Sequence, residues 1–364
     1  MRVRRALSHH PPSDRKGQPF VLRTLLIGLG RAGTGLHLPV LRRARTTHPQ
    51  LFARQPVLGV DPARAPAAAA TEGLHVVGSL RDARRSLDPD GTVVHLCTPP
   101  AVRGALLAEA ARLGYRRFLV EKPIATDRTA LRQVLDAVDE HGLHVRVVSP
   151  WLHSALTDRI ADLTGGPAGV RAVTVTQHKS RFRRTLTNSG HTDAFQVEIP
   201  HALGVLLRLA GDAEVHSATC TDLRYGGDVV PHMGGARLTL RHASGLHSLV
   251  DCDLTSPVRR RRITVHTADG TRLVGHYPVA QDDDIAQLDV HGPDGHVREL
   301  LADDALSRCL THAYRAFADD DSGHGRADDL RLHIRTAELL GDARHLALAD
   351  PPRTRHQEAA RHAG

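Results

Sequence analysis

From residue 21 the chain alternates short runs of β-branched residues and leucine with longer stretches in which Ala and Leu recur among Arg. The short runs, residues 21–27, 56–60, 92–96, 117–120 and 144–148, read as strands. Between them the clearest helical stretches are residues 103–113 and 130–141. Strands separated by helices predict right-handed βαβ units and a parallel sheet covered on both faces.

After Pro150 the rhythm changes. A helix is expected over 154–163, an alternating strand over 170–178, a polar loop, and a helical run over 193–209. Strands over 214–223, 236–241, 246–253, 262–267 and 272–277 then follow with only turns between them, which predicts a mostly antiparallel sheet. Helices over 304–318 and 327–348 close the pattern. The fold class is therefore α/β, with an N-terminal doubly wound Rossmann domain and a C-terminal α+β domain with an open, mostly antiparallel sheet. Domain boundaries are placed at 21–150 and 151–350, with residues 1–20 as a disordered leader and 351–364 as a polar tail.

Composition narrows the picture. The chain has 364 residues, of which 41% are hydrophobic, enough for two domains with sizeable cores. Aromatics are only 3%, too few for a single-stranded nucleic-acid platform. The net charge of +8 is carried almost wholly by Arg, the lysines being Lys16, Lys122 and Lys179, which fits a coding bias better than a nucleic-acid partner. The Arg259 to Arg262 run reads as a solvated strand end. Cys97, Cys220, Cys252 and Cys309 are far apart, which argues against a zinc knuckle or disulfide framework and for a reducing cytoplasm. No apolar run approaches the roughly 20 residues of a membrane span.

The strongest local motif is Gly28-Leu29-Gly30-Arg31-Ala32-Gly33, directly after a strand and before a helix. A glycine pattern in this setting cradles a dinucleotide pyrophosphate. Asp61, at the end of the next strand, would accept hydrogen bonds from the ribose of NAD, whereas Arg64 would suit the 2′-phosphate of NADP. NAD is the expected cofactor and NADP the alternative. Thr98-Pro99-Pro100 and Glu121-Lys122-Pro123 both follow strands, at the carboxyl edge where open α/β sheets bind ligands.

These motifs together, with His37-x-Pro39, resemble the glucose–fructose oxidoreductase / inositol dehydrogenase family (Gfo/Idh/MocA). The resemblance implies an NAD(P)-dependent dehydrogenase or reductase acting on a secondary alcohol or ketone of a sugar, cyclitol or related small molecule, anionic ones included. It implies a catalytic role for Lys122 beside nicotinamide and substrate, and a homo-oligomer built through the C-terminal sheet. The family's Asp-x-Gly-x-His is altered to Val197-Glu198-Ile199-Pro200-His201, in which only the His matches. Glu198, three residues before His201 and so on the same helical face, is the expected carboxylate that would fix the imidazole. Trp151, Arg183 and His191 are further candidates for the substrate cleft. No metal, nucleic acid or membrane is expected. A catalytically degenerate nucleotide sensor is the alternative that the altered motif supports.

Overall fold

The computed structural model describes residues 21–63, 72–187, 191–280, 283–293, 295–319 and 324–349, the side chains of 324–329 excepted. The expectations for residues 1–20, for 351–364 and for Arg64 lie outside the described residues.

The first sheet holds β1 (Arg23–Ile27), β2 (Val57–Val60), β3 (Leu74–Val77), β4 (Thr92–Leu96), β5 (Arg117–Glu121) and β6 (His144–Val148). Their order is β3-β2-β1-β4-β5-β6, and every pairing is parallel. Each residue of β4 is buried, as a strand covered on both faces requires. One face is covered by α1 (Leu38–Thr47), the other by α2 (Leu80–Ser86), α3 (Arg103–Arg112) and α4 (Arg128–His141). The strand order reverses between β1 and β4, the crevice where doubly wound sheets take nucleotides.

α5 (Ala155–Thr164) leads into the second sheet through β7 (Val170–His178). A short helix, α6 (Phe182–Thr187), stands in the loop expected to be irregular. The helix expected over 193–209 is divided into a 3-10 turn, Ala194–Gln196, and α7 (Ile199–Ala210). Pro200 is the reason: it lacks an N–H and so sits in the first turn of α7.

The remaining strands are β8 (Ala213–Tyr225), β9 (Asp228–His242), β10 (His247–Asp253), β11 (Arg260–Thr267), β12 (Arg272–His276), β13 (Ile285–Gly292) and β14 (Gly295–Ala302). The order is β14-β13-β12-β11-β7-β10-β9-β8, antiparallel except for β10 against β7. The inward face, with Val173, Val175, Val250 and Ile263, packs on Leu156, Leu203 and Leu206. On the opposite face Leu249, Thr174, Thr264 and Val274 form one half-exposed row across four strands.

Two helices complete the fold. α8 (Ala305–Ala318) buries Leu310, Ala313, Tyr314 and Phe317 in the core of the first sheet, although its sequence position follows the second. α9 (His324–Ala349) contributes Ala337 to one core and Leu339, Leu340 and Ala343 to the other.

Candidate active site

The glycine turn sits at the β1 end of the switch point. Gly28 has φ +91°, a left-handed conformation that an L side chain rarely adopts, and a Cβ there would lie 2.9 Å from the Cys97 carbonyl. A Cβ on Gly33 would strike the Gly28 carbonyl, so this position keeps helix and strand in close contact. Around Gly30 there is open space, as a pyrophosphate approach needs. Asp61 Oδ2 accepts the Leu29 N–H at 2.7 Å, and Oδ1 accepts from Ala63 N at 2.9 Å. The carboxylate thus braces the turn while keeping lone pairs for a ribose. These features fit a dinucleotide.

Two further turns flank the crevice. Arg103, buried on α3, donates from Nε and Nη2 to the Thr98 carbonyl at 3.1 and 2.8 Å, and from Nη1 to the Pro123 carbonyl. One guanidinium therefore ties the Thr98-Pro99-Pro100 turn to the Glu121-Lys122-Pro123 turn. Thr98 Oγ1 is buried without a partner among the described residues. Glu121, expected at the cofactor, is committed inward: Oε1 meets His37 Nε2 at 3.0 Å and Oε2 accepts the Lys122 N–H at 3.1 Å.

From His37 a hydrogen-bonded chain runs through the sheet. His37 Nδ1 meets His95 Nδ1 at 2.8 Å, His95 Nε2 meets the Tyr314 hydroxyl at 2.9 Å, and that hydroxyl meets Thr24 Oγ1 at 2.6 Å. Burial opposes a charge on His37, but Cys97 beside it and the Glu121 carboxylate raise its pKa well above the usual imidazole range. Burial, and then His37 itself, holds His95 neutral. A protonated His37 donates to Glu121 and to His95 Nδ1, which leaves His95 Nε2–H to donate to the Tyr314 hydroxyl.

The chemistry-bearing groups converge in one cleft of about 1840 Å³ between the two sheets. Lys122, His201, Trp151, Arg183 and His191 all line it, as do Arg31 and Ala32 of the glycine turn and Thr98, Pro99 and Pro100. Lys122 Nζ donates to the Val197 carbonyl at 2.8 Å. Its pKa is lowered by burial, with Glu198 and Glu121 opposing. His201 is held at about 3 by burial and by Lys122, so it is neutral, and its Nδ1 has no partner among the described residues. Trp151 stacks on Tyr277, with ring centroids 4.0 Å apart, and on His201 at 5.9 Å.

Glu198 departs from the expectation. It occupies the N-cap position of α7 without a side-chain capping bond, and its carboxylate pairs with Lys179 instead of hydrogen-bonding His201. Burial works against its charge, yet Lys179 and Lys122 keep the carboxyl well below its ordinary value. Arg259 and Arg260 are exposed, as expected of a solvated strand end, whereas Arg261 departs from that expectation: it is half-buried and lines the cleft. His191 is pushed down to about 4 by burial and by Lys122.

Sequence reasoning missed Arg103, the pairing of Lys179 with Glu198 and the structural part of His37. For Arg103 the signal was its place in the apolar stripe with Leu107, Ala110 and Ala111, which puts a guanidinium on the buried face. The pairing of Lys179 joins a loop to a helix 19 residues away and left no local trace. Among the described residues no cluster of His, Cys, Asp or Glu could hold a metal ion, and no helix is long and apolar enough to cross a membrane.

Residues 22–149 match the model of an oxidoreductase family with an NAD-binding Rossmann fold, Gfo/Idh/MocA. No curated protein matches the sequence. The fold is similar to that of KijD10, a 3-ketoreductase from Actinomadura kijaniata solved with NADP and TDP-benzene: TM-score 0.71, 17% identity, covering 90% of this chain and 98% of that one. It is also similar to the UDP-N-acetylglucosamine 3-dehydrogenase GnnA from Acidithiobacillus ferrooxidans, with TM-score 0.69 and 17% identity over 90% of this chain and 98% of that one.

Proposed function

The N-terminal domain belongs to the oxidoreductase family with an NAD-binding Rossmann fold, and on that premise we propose that the chain interconverts a secondary alcohol and a ketone on a sugar, cyclitol or related small molecule. The observation that carries this reading is the convergence of Lys122 and His201 in the cleft that Arg31 and Ala32 of the glycine turn also line. A bound nicotinamide supplies or takes the hydride. The chain's own residues position the reacting carbon and manage the proton. Lys122 polarises the substrate oxygen through Nζ, and neutral His201 takes the hydroxyl proton in the oxidative direction. Trp151 keeps the imidazole in place by stacking. Glu198 acts at one remove by holding Lys179, and its charge favours the protonated state of Lys122.

NAD is the cofactor that Asp61 favours, since a carboxylate beside the ribose repels a 2′-phosphate. The NADP bound to KijD10 supports the alternative. Calorimetric titration with NADH and, separately, NADPH decides between them. Preference for NADPH that survives in Asp61→Ala would transfer the discrimination away from Asp61. The oxidoreductase reading itself is tested by screening sugars and cyclitols with the preferred cofactor, and then comparing Lys122→Ala. Full turnover by that variant would end the scheme.

One observation favours a second reading, a nucleotide-binding sensor without turnover: His201 lacks the carboxylate partner that the sequence led us to expect. Tight cofactor binding with no conversion of any substrate class would support it. The half-exposed row Leu249, Thr174, Thr264 and Val274 supports a homo-oligomer through the second sheet. Light scattering should give a mass above that of one chain for the native protein, and a lower mass for Leu249→Arg. The wide separation of Cys97, Cys220, Cys252 and Cys309 along the sequence supports a reducing, cytoplasmic setting.

A further inference from the structure

Arg181 is 4% exposed and lines the cleft. Its Nη1 donates to Thr185 Oγ1 at 3.1 Å, but Nε and Nη2 have no hydrogen-bond partner among the described residues. Those two nitrogens form one edge of the guanidinium, the edge that takes two oxygens of a single anion. Arg159 uses the same edge on Glu299, with both nitrogens 2.8 Å from the carboxylate. A buried, unsatisfied guanidinium edge is costly unless something fills it.

The surroundings supply more positive charge than one carboxylate needs. Arg184 and Arg31 line the same cleft, lie close enough to depress the Arg181 pKa, and pair with no carboxylate among the described residues. Four of the six carboxylates that line the cleft among the described residues are engaged elsewhere, Glu121 with His37, Glu198 with Lys179, Asp303 with Ser154 and Asp304 with Arg43, which leaves Asp283 and Asp284. Asp283 accepts from its neighbour Ile285 N.

We propose that Arg181, with Arg184, forms a subsite for the phosphoryl oxygens of a substrate phosphate ester, so that the molecule reduced or oxidised beside Lys122 is a phosphorylated or nucleotide-linked sugar. This rests on the oxidoreductase reading for the reacting end, but the anion subsite is testable apart from it. A phosphate dianion or diphosphate uses several cations at once, whereas a carboxylate is satisfied by one fork.

The test is calorimetry on the full chain saturated with its reduced cofactor, using pyrophosphate as the probe of the subsite alone. Pyrophosphate should bind, and Arg181→Lys, which keeps the charge but loses the fork, should weaken it by about tenfold or more. Arg184→Ala, at a half-buried position that the fold tolerates, should weaken it as well, with cofactor affinity unchanged in both variants. Glucose 1-phosphate and UDP-glucose then separate the sources: equal affinity indicates a phosphomonoester, and preference for UDP-glucose a nucleoside diphosphate. Absence of pyrophosphate binding, glucuronate binding as tightly as the phosphate esters, or equal weakening of cofactor and pyrophosphate would each overturn the proposal. The last result would assign the cations to the cofactor. Should the chain bind no nicotinamide nucleotide, the oxidoreductase reading falls, while Arg181-dependent pyrophosphate binding to the unloaded chain would still establish the subsite.

Discussion

Lys122 illustrates how far a single residue's chemistry depends on its setting. Burial lowers its pKa, while Glu121 and Glu198 limit the fall. Lys122→Ala should reduce turnover by about a hundredfold or more, the usual worth of a positioned proton-handling group, with cofactor binding retained. In the oxidative direction His201 must be neutral and Lys122 protonated, so the rate should rise with pH through the low apparent pKa of His201 and fall again as Lys122 loses its proton; a pH–rate profile checks this. His37 carries the opposite kind of prediction. Its folded pKa is raised, so its stabilisation is complete below the unfolded value near 6.5 and is lost as pH climbs through the folded value. His95, His191 and His201 are lowered, so the unfolded chain binds their protons first and stability falls as pH drops below about 6.5. Thermal melting against pH should therefore peak near neutrality. His37→Gln should flatten the alkaline arm and cost about 3 kcal/mol or more, because it strands the buried Glu121 carboxylate.

At the scale of elements, much was legible because local chemistry and tertiary placement agree. The five strands read before Pro150 and the glycine turn appear where their apolar runs and turn residues indicated. β3 escaped notice because it has only four residues with an exposed His75 among them. β14 escaped for another reason: as an edge strand it is exposed along most of its length, so no buried face imposed a pattern on it. The outer ends of β8 and β9 are similarly exposed, which is why both run beyond their apolar cores. The candidate site was half legible. Motifs marked Gly28, Thr98, Lys122 and His201, whereas the partner of Glu198 depends on a loop crossing that periodicity does not encode. Gly33→Ala tests the tightest junction of elements: its methyl group must push α1 away from β1, and cofactor affinity should fall sharply while the second sheet keeps its fold, as paired calorimetry and circular dichroism would report.

For the whole molecule, the main departure from a simple two-part reading is α8. Tyr314 stacks on Phe52 with ring centroids 4.1 Å apart, and its hydroxyl carries the chain of hydrogen bonds that begins at Glu121 on to Thr24. Tyr314→Phe should leave His95 and Thr24 without their shared partner and cost about 1–3 kcal/mol, measurable by denaturant unfolding. α9 reinforces the connection by entering both cores. A chain is synthesised from its N-terminus, and domains usually fold as they emerge. Here the helix that closes the first-made sheet comes from residues 305–318, so the nucleotide half must wait on the ribosome, its Phe52 face uncovered, until nearly the whole polypeptide has been translated.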